Sequence, residues 1–131
     1  MDLDVEVVGA DGVAGAPPQP EVERLVALAL ASAGVDDGHL AVQYVDAARI
    51  AELNAEHRGK DGPTDVLSFP IDGADGGLPG GSRELGDIVI CPEHTTDLRE
   101  AIVHGALHLV GMDHETDDGE MLAVQAEILS W

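Results

Sequence analysis

The chain of 131 residues carries 26 acidic residues against 6 Lys or Arg residues, for a formal net charge of −20. Its length predicts one domain over residues 1–131, and its hydrophobic fraction of 44% is enough for a core, which excludes wholesale disorder. Its acidity argues against a protein that coats nucleic acid, and its longest apolar run, Leu25 to Ala31, is too short to cross a membrane, so we expect a soluble, cytoplasmic protein.

The first half of the chain alternates predicted strands and helices. Apolar and acidic residues alternate over 3–7, which predicts a strand with one buried face. Pro20 opens a helix that runs to about Ala33, because apolar residues then recur at helical spacing. A second strand is predicted over 40–44, and Asp46 is a suitable N-cap for a second helix.

The second half adds two strands and two helices. The predicted elements are strands over 66–69 and 85–90, a helix from a cap within 95–97 to Val110, and a last helix from about Asp117 with Glu120 as its capping-box partner. Strands joined by a helix pair in parallel, whereas the two strands joined by the glycine-rich segment 73–81 can pair antiparallel. The order predicts the α+β class, with a mixed four-stranded sheet packed against several helices.

The segment from His104 to His114 carries the strongest chemical signal in the sequence. His104 and His108 are four residues apart, so on a helix they lie on the same face. Gly111 can adopt the left-handed conformation that ends a helix, after which the chain can bring His114 to the same point. Three imidazoles around one ion leave a fourth position open, as in catalytic zinc sites. We therefore predict that His104, His108 and His114 bind one zinc ion.

The same histidine spacing occurs in metzincin peptidases, where a glutamate follows the first histidine and acts as the general base. Here that position is Gly105, which argues against proteolysis. A Cys-rich zinc module and an internal disulfide are excluded, because Cys91 is the only cysteine. The remaining histidines lack partners at ligand spacing, and we expect no metal-binding role for them: His39, His57 and His94.

Two of the six basic residues, Arg58 and Lys60, lie in one predicted turn between a helix and a strand. An arginine there can donate two hydrogen bonds to a phosphate and stabilise the charge that develops on it. Alternatively, Arg58 only pairs with a neighbouring carboxylate, such as Glu56 or Asp61. The turn is therefore a candidate substrate-binding site, with Arg58 as its catalytic residue and Lys60 as a further contact.

Three segments together resemble the YbeY family of bacterial ribosomal RNA maturation factors, which are single-strand-specific, metal-dependent endoribonucleases: Arg58 to Pro70, Leu85 to Ile90 and His104 to His114. The resemblance covers about the last two-thirds of the chain. It implies zinc on the three histidines at the floor of a cleft and an RNA-contacting, activity-essential arginine at Arg58. It also implies maturation of the 3′ end of 16S rRNA and late ribosome quality control. The implied partners are single-stranded ribosomal RNA, the small ribosomal subunit and assembly factors, with no membrane.

The mechanism that we expect is metal-assisted cleavage of a phosphodiester bond. Candidates for the general base are Asp65, Asp87 and Asp113, and the nucleophile is either water or the RNA 2′-hydroxyl. The segment from Pro92 to His104 is shorter than the resemblance leads us to expect, which predicts a trimmed wall of the cleft. Two other functions stay open: a zinc-dependent hydrolase of a non-RNA substrate, and a non-catalytic ribosome-assembly factor.

Overall fold

A computed structural model of the chain describes residues 3–9, 12–13, 15–35, 38–70, 84–111 and 119–130. Its elements are β1 (Leu3–Val8), α1 (Gln19–Ala31), β2 (Gly38–Tyr44), α2 (Ala47–Arg58), β3 (Val66–Pro70), β4 (Glu84–Ile90), a 3₁₀ turn (Pro92–His94), α3 (Leu98–Leu109) and α4 (Glu120–Leu129). Among the described residues, the predicted order of four strands and four helices is confirmed. In the part of the chain that the structure describes, no helix is long and apolar enough to span a membrane.

The four strands form one mixed sheet in the order β1-β2-β4-β3. β1 pairs with β2 and β2 with β4 in parallel, whereas β3 pairs with β4 antiparallel. The parallel pairings follow from the helical crossovers, because a parallel connection needs a dozen or more residues. The predicted α+β class and mixed four-stranded sheet are confirmed, and β3 lies at an edge of the sheet.

The sheet separates two apolar clusters of different size. The larger cluster lies between the sheet and α1, α3 and α4, and it contains Ile88 and Ile90 of β4. The smaller cluster lies on the other face, where Ile50 of α2 packs against Leu67 and Val89. Since successive side chains of a strand point to opposite faces, β4 supplies both clusters. The helix that carries the histidines and the helix that ends at the basic turn therefore cover opposite faces.

Local capping signals fix the ends of the middle helices. The side chain of Asp46 accepts a hydrogen bond from the backbone N–H of Arg49 (2.8 Å), as predicted for the N-cap of α2. Among the predicted caps of α3, the structure selects Asp97, whose carboxylate accepts from the N–H groups of Arg99 and Glu100 (3.0 and 3.3 Å). Each bond satisfies a backbone donor that has no partner within its helix.

The predicted start of the last helix is wrong. α4 begins at Glu120, and its N-cap is Gly119, whose φ is +98°. Glu120 is thus the first residue of the helix, and Gly119 has no side chain with which to cap. Asp117 itself lies outside the described residues.

Candidate metal centre and substrate site

His104 and His108 bring their imidazoles together on the exposed side of α3. Their Nε2 atoms are 3.1 Å apart, and the two rings meet edge to face with centroids 4.7 Å apart. Both side chains are half-buried, while the opposite side of α3 is packed on the sheet. The pairing of the two histidines that was predicted from their spacing is therefore present.

The spacing of the two nitrogen atoms fits a tetrahedral metal ion. Two nitrogen ligands at roughly 2.0–2.1 Å from zinc, at the tetrahedral angle, are about 3.4 Å apart, close to the observed 3.1 Å. Two neutral imidazoles cannot point lone pairs at each other over this distance unless a proton or a cation lies between them. The donor set is therefore suited to a metal ion that prefers nitrogen ligands.

The second nitrogen of His104 is held by a residue that the sequence analysis did not identify. His104 Nδ1 lies 2.9 Å from Oε1 of Gln125, which projects from α4 and is buried. A carbonyl oxygen can only accept a hydrogen bond, so this contact is a hydrogen bond when the ring carries its proton at Nδ1, which leaves the lone pair at Nε2. No local sequence pattern predicts this contact, because the two residues are 21 positions apart.

The end of α3 confirms the predicted role of Gly111. Its φ is +95°, and its N–H donates to the carbonyl of His108 (3.0 Å). Glycine adopts this backbone conformation without the steric penalty that a Cβ atom brings. His114 lies outside the described residues. Within the described ranges no group of three or more His, Cys, Asp or Glu residues could hold a metal ion, so the third ligand stays a prediction.

Gly105 lies where α3 touches the sheet. A Cβ atom at this position would be 2.5 Å from Cγ2 of Ile88, and the carbonyl of Gly105 accepts a hydrogen bond from the hydroxyl of Ser68 (2.9 Å). The position that metzincins fill with a catalytic glutamate therefore faces β4, away from the two histidines. A glutamate there would have to push the helix off the sheet, which agrees with the prediction against proteolysis.

A cavity of about 190 Å³ lies beside His104. It is bounded by β3, the start of α3 and α4, and its lining residues are Asp65, Val66, His94, Thr95, Thr96, Asp97, Glu100, Ala101, His104, Leu122 and Gln125. The lining combines carboxylates and hydroxyls with a few apolar side chains. It can therefore accept hydrogen-bond donors while contacting an apolar surface.

The structure separates the candidates for the general base. Asp65 lines the cavity beside His104, and its Oδ1 accepts a hydrogen bond from the N–H of Val66 (2.8 Å). Asp87 lies two residues before Val89 in β4, so its side chain is on the face that α2 covers, and the sheet separates it from the histidines. Asp113 lies outside the described residues.

The basic turn is exposed and anchored by a buried asparagine. Arg58 is the last residue of α2, and both it and Lys60 are exposed. Nδ2 of Asn54 donates to the carbonyl of Gly62 (2.9 Å), which ties the turn to the helix. Among the described residues, which include both neighbouring acids, Arg58 forms no ion pair with Glu56 or Asp61. Its guanidinium is thus available to a substrate.

Arg58 and the histidine pair are not in contact, because α2 and α3 lie on opposite faces of the sheet. The turn does lead to the edge strand, however, and Asp65, just before β3, lines the cavity beside His104. The basic turn and the histidine side therefore meet around the β3 edge. Next to Arg58, the ring of His57 packs on Phe69, with centroids 4.3 Å apart.

Known proteins resemble this chain over most of its length. The family model described as Endoribonuclease YbeY matches residues 17–131. Proteins named "Endoribonuclease YbeY" from Alkalilimnicola ehrlichii and Rubrobacter xylanophilus are 44% and 41% identical to this chain; the alignments cover 88% and 98% of it, and 76% and 96% of those proteins. The solution structure of TM1509 from Thermotoga maritima superposes with a TM-score of 0.57 at 27% identity, over 96% of this chain and 87% of that one.

These relatives carry the name of a class of hydrolase that cleaves RNA internally, the endoribonucleases. The chain belongs to the Endoribonuclease YbeY family. The resemblance noted in the sequence is thereby confirmed, and the matched region extends further toward the N-terminus than the motifs that carried it.

Proposed function

We propose that this chain is a single-strand-specific, metal-dependent endoribonuclease that matures the 3′ end of 16S rRNA and acts in ribosome quality control. We propose further that it works in the cytoplasm, with the small ribosomal subunit and assembly factors as partners. The observation that carries the proposal is the convergence of the His104 and His108 Nε2 atoms, 3.1 Å apart, in a member of an endoribonuclease family.

The proposed ligands of one Zn²⁺ ion are His104, His108 and His114. The ion, when bound, supplies Lewis acidity toward a phosphodiester and its nucleophile. The protein contributes the direction of the ligands. The turn spacing of α3 aims two lone pairs at one point, and Gln125 holds the first ring in the tautomer that binds through Nε2.

Arg58 is the proposed phosphate clamp. Its guanidinium is exposed, without a carboxylate partner among the described residues, and it offers paired N–H donors that match two phosphate oxygens. Lys60 adds a second positive charge two residues further along the turn. An RNA strand that crosses the β3 edge would meet this turn first and then the cavity beside His104. These two cations are the groups of the turn that can contact phosphates of the RNA backbone.

Asp65 is the proposed proton acceptor. Of the described candidates, Asp65 shares a cavity with His104 and Asp87 does not. The N–H of Val66 and the hydroxyl of Thr64 both donate to its Oδ1, and no donor to its second oxygen is found among the described residues. A carboxylate at this position can take the proton from water or from a 2′-hydroxyl. The product ends distinguish the two nucleophiles, since attack by the 2′-hydroxyl leaves a cyclic phosphate and attack by water does not.

The proposed activity is tested by cleavage of a labelled single-stranded RNA that spans the 3′ end of 16S rRNA. Wild type and His108→Ala are purified in parallel and assayed with and without chelator, and the same RNA annealed to its complement tests strand specificity. We expect cleavage of the single strand by wild type alone, lost on chelation. Equal cleavage by both proteins would reveal a contaminant, and no cleavage by either would contradict the proposed activity on free RNA.

The clamp role is tested by Arg58→Ala, with Arg49→Ala as the matched control. Both arginines are exposed on α2, at opposite ends of the helix. We expect Arg58→Ala to lose cleavage by about 10²-fold or more at unchanged metal content, as when a transition-state donor is removed. Arg49→Ala should cleave like wild type. Equal loss in both variants would indicate general electrostatic attraction instead of a clamp.

A further inference from the structure

We propose that Gln125 is a positioning residue for the metal centre, because its amide oxygen fixes His104 in the tautomer whose Nε2 carries the lone pair. This inference rests on the proposed function in so far as the lone pair serves a metal ion. The assignment of the tautomer itself rests on the geometry of the two side chains.

Gln125 is held firmly in place by α4. The residue is 9% exposed, and it lies on the same side of the helix as Met121 and Ile128, which are buried in the main core. Four residues and three residues separate it from these two neighbours, the spacing of one helix face. Burial on this face therefore limits the positions that the amide can take next to His104.

The contact determines which ring nitrogen of His104 is free to bind. A neutral imidazole has one N–H and one lone pair, and Oε1 of Gln125, 2.9 Å from Nδ1, requires the N–H to be there. The lone pair is then at Nε2, which points to the Nε2 atom of His108 at 3.1 Å. Without the amide oxygen, Nδ1 and Nε2 would compete for the proton, and a fraction of the molecules would present an N–H to the metal.

An amide is also suited to the charge of the surroundings. The adjoining cavity is already lined by three acidic residues, Asp65, Asp97 and Glu100. Gln125 supplies an acceptor oxygen without a further negative charge. A glutamate would accept the same hydrogen bond, so the proposed role depends on the acceptor and not on the amide as such.

Two substitutions separate the acceptor from the packing. Gln125→Met keeps the length and the apolar stem of the side chain but removes the acceptor, whereas Gln125→Glu keeps the acceptor. Zinc affinity is measured by competition with a chromophoric chelator, and thermal unfolding verifies the fold. We expect zinc to bind about 10- to 100-fold more weakly to Gln125→Met than to wild type, the usual effect of losing such a partner. Gln125→Glu should bind zinc at least as tightly as wild type.

The tautomer is read directly from ¹⁵N NMR of the metal-free protein, at about pH 8, where an unperturbed histidine is neutral. We expect His104 to be protonated at Nδ1 in wild type and in Gln125→Glu, and to become a mixture in Gln125→Met. Nδ1 protonation that persists in Gln125→Met, or a loss of zinc affinity in Gln125→Glu as large as in Gln125→Met, would overturn the inference. If no variant binds zinc, the proposed function fails, and the NMR measurement still decides whether Gln125 sets the tautomer.

Discussion

Replacing Gly105 with alanine adds a methyl group at the contact between α3 and β4. The added carbon would lie 2.5 Å from Cγ2, 3.3 Å from Cγ1 and 3.4 Å from Cβ of Ile88. Carbon atoms at their best separation are roughly 3.5–4.0 Å apart, so the first contact must open by about 1 Å. Ile88 is fully buried and β-branched, and it lies in a strand that pairs on both sides. Because Ile88 cannot easily move, α3 has to shift away from the sheet to relieve the close contact.

The magnitude follows from two opposing effects. Forcing an extra carbon into a packed core costs about 1–3 kcal/mol, and the rigid neighbour at Gly105 favours the upper end of that range. Alanine in place of glycine within a helix contributes about 1 kcal/mol in the other direction. We therefore expect Gly105→Ala to lower the free energy of unfolding by about 2 kcal/mol, the difference of these two effects.

Urea unfolding of a double-mutant cycle tests this reasoning. Ile88→Ala removes the γ-carbons that the new methyl group would meet, at its own cost of about 2–5 kcal/mol. In that background Gly105→Ala should be neutral or stabilising by up to about 1 kcal/mol, since only the helix propensity remains. If Gly105→Ala is as stable as wild type when Ile88 is present, the close approach of α3 to β4 is not the reason for glycine at this position.

Three further results are expected. Chelation should abolish RNA cleavage and leave the far-UV circular dichroism spectrum largely unchanged, because the core side of α3 is packed without the metal; loss of the helical signal would indicate a structural ion. Asp65→Asn should slow cleavage by about 10²-fold or more, whereas Asp87→Asn, on the opposite face, should not; equal effects would remove Asp65 from the mechanism. Glu84, 2.6 Å from His39, raises the pKa of that imidazole above its ordinary 6.5. Protonated His39 therefore stabilises the fold fully below pH 6.5, and this contribution should fade as the pH rises through the raised pKa. To test this, the free energy of unfolding is measured for wild type and for His39→Gln across that pH range. The difference between the two proteins should decrease by less than about 1 kcal/mol, because the ion pair is partly exposed. A difference that does not change with pH would contradict the ion pair.

Much of the secondary structure could be predicted from the sequence, because the signals that define it are local. Apolar periodicity marked the strands and helices, and Asp46, Asp97 and Gly111 cap or end helices through bonds to residues a few positions away. The start of α4 differs from the prediction, because the helix begins at Glu120 after Gly119 in a left-handed conformation. A local sequence pattern permits several starting residues for a helix, and the packing of neighbouring segments selects one of them.

For the candidate site, too, some features follow from local sequence and others depend on tertiary packing. The sequence by itself determined that His104 and His108 share a face, since four residues make about one helical turn, and that Gly111 ends the helix after them. The tertiary structure decided that Gln125 contacts His104 and that Asp65, not Asp87, lines the cavity beside His104. These relations depend on the order of the strands and on how α4 packs against α3. Side-chain periodicity specifies which face a residue occupies, but only the packing of distant segments specifies what that face meets.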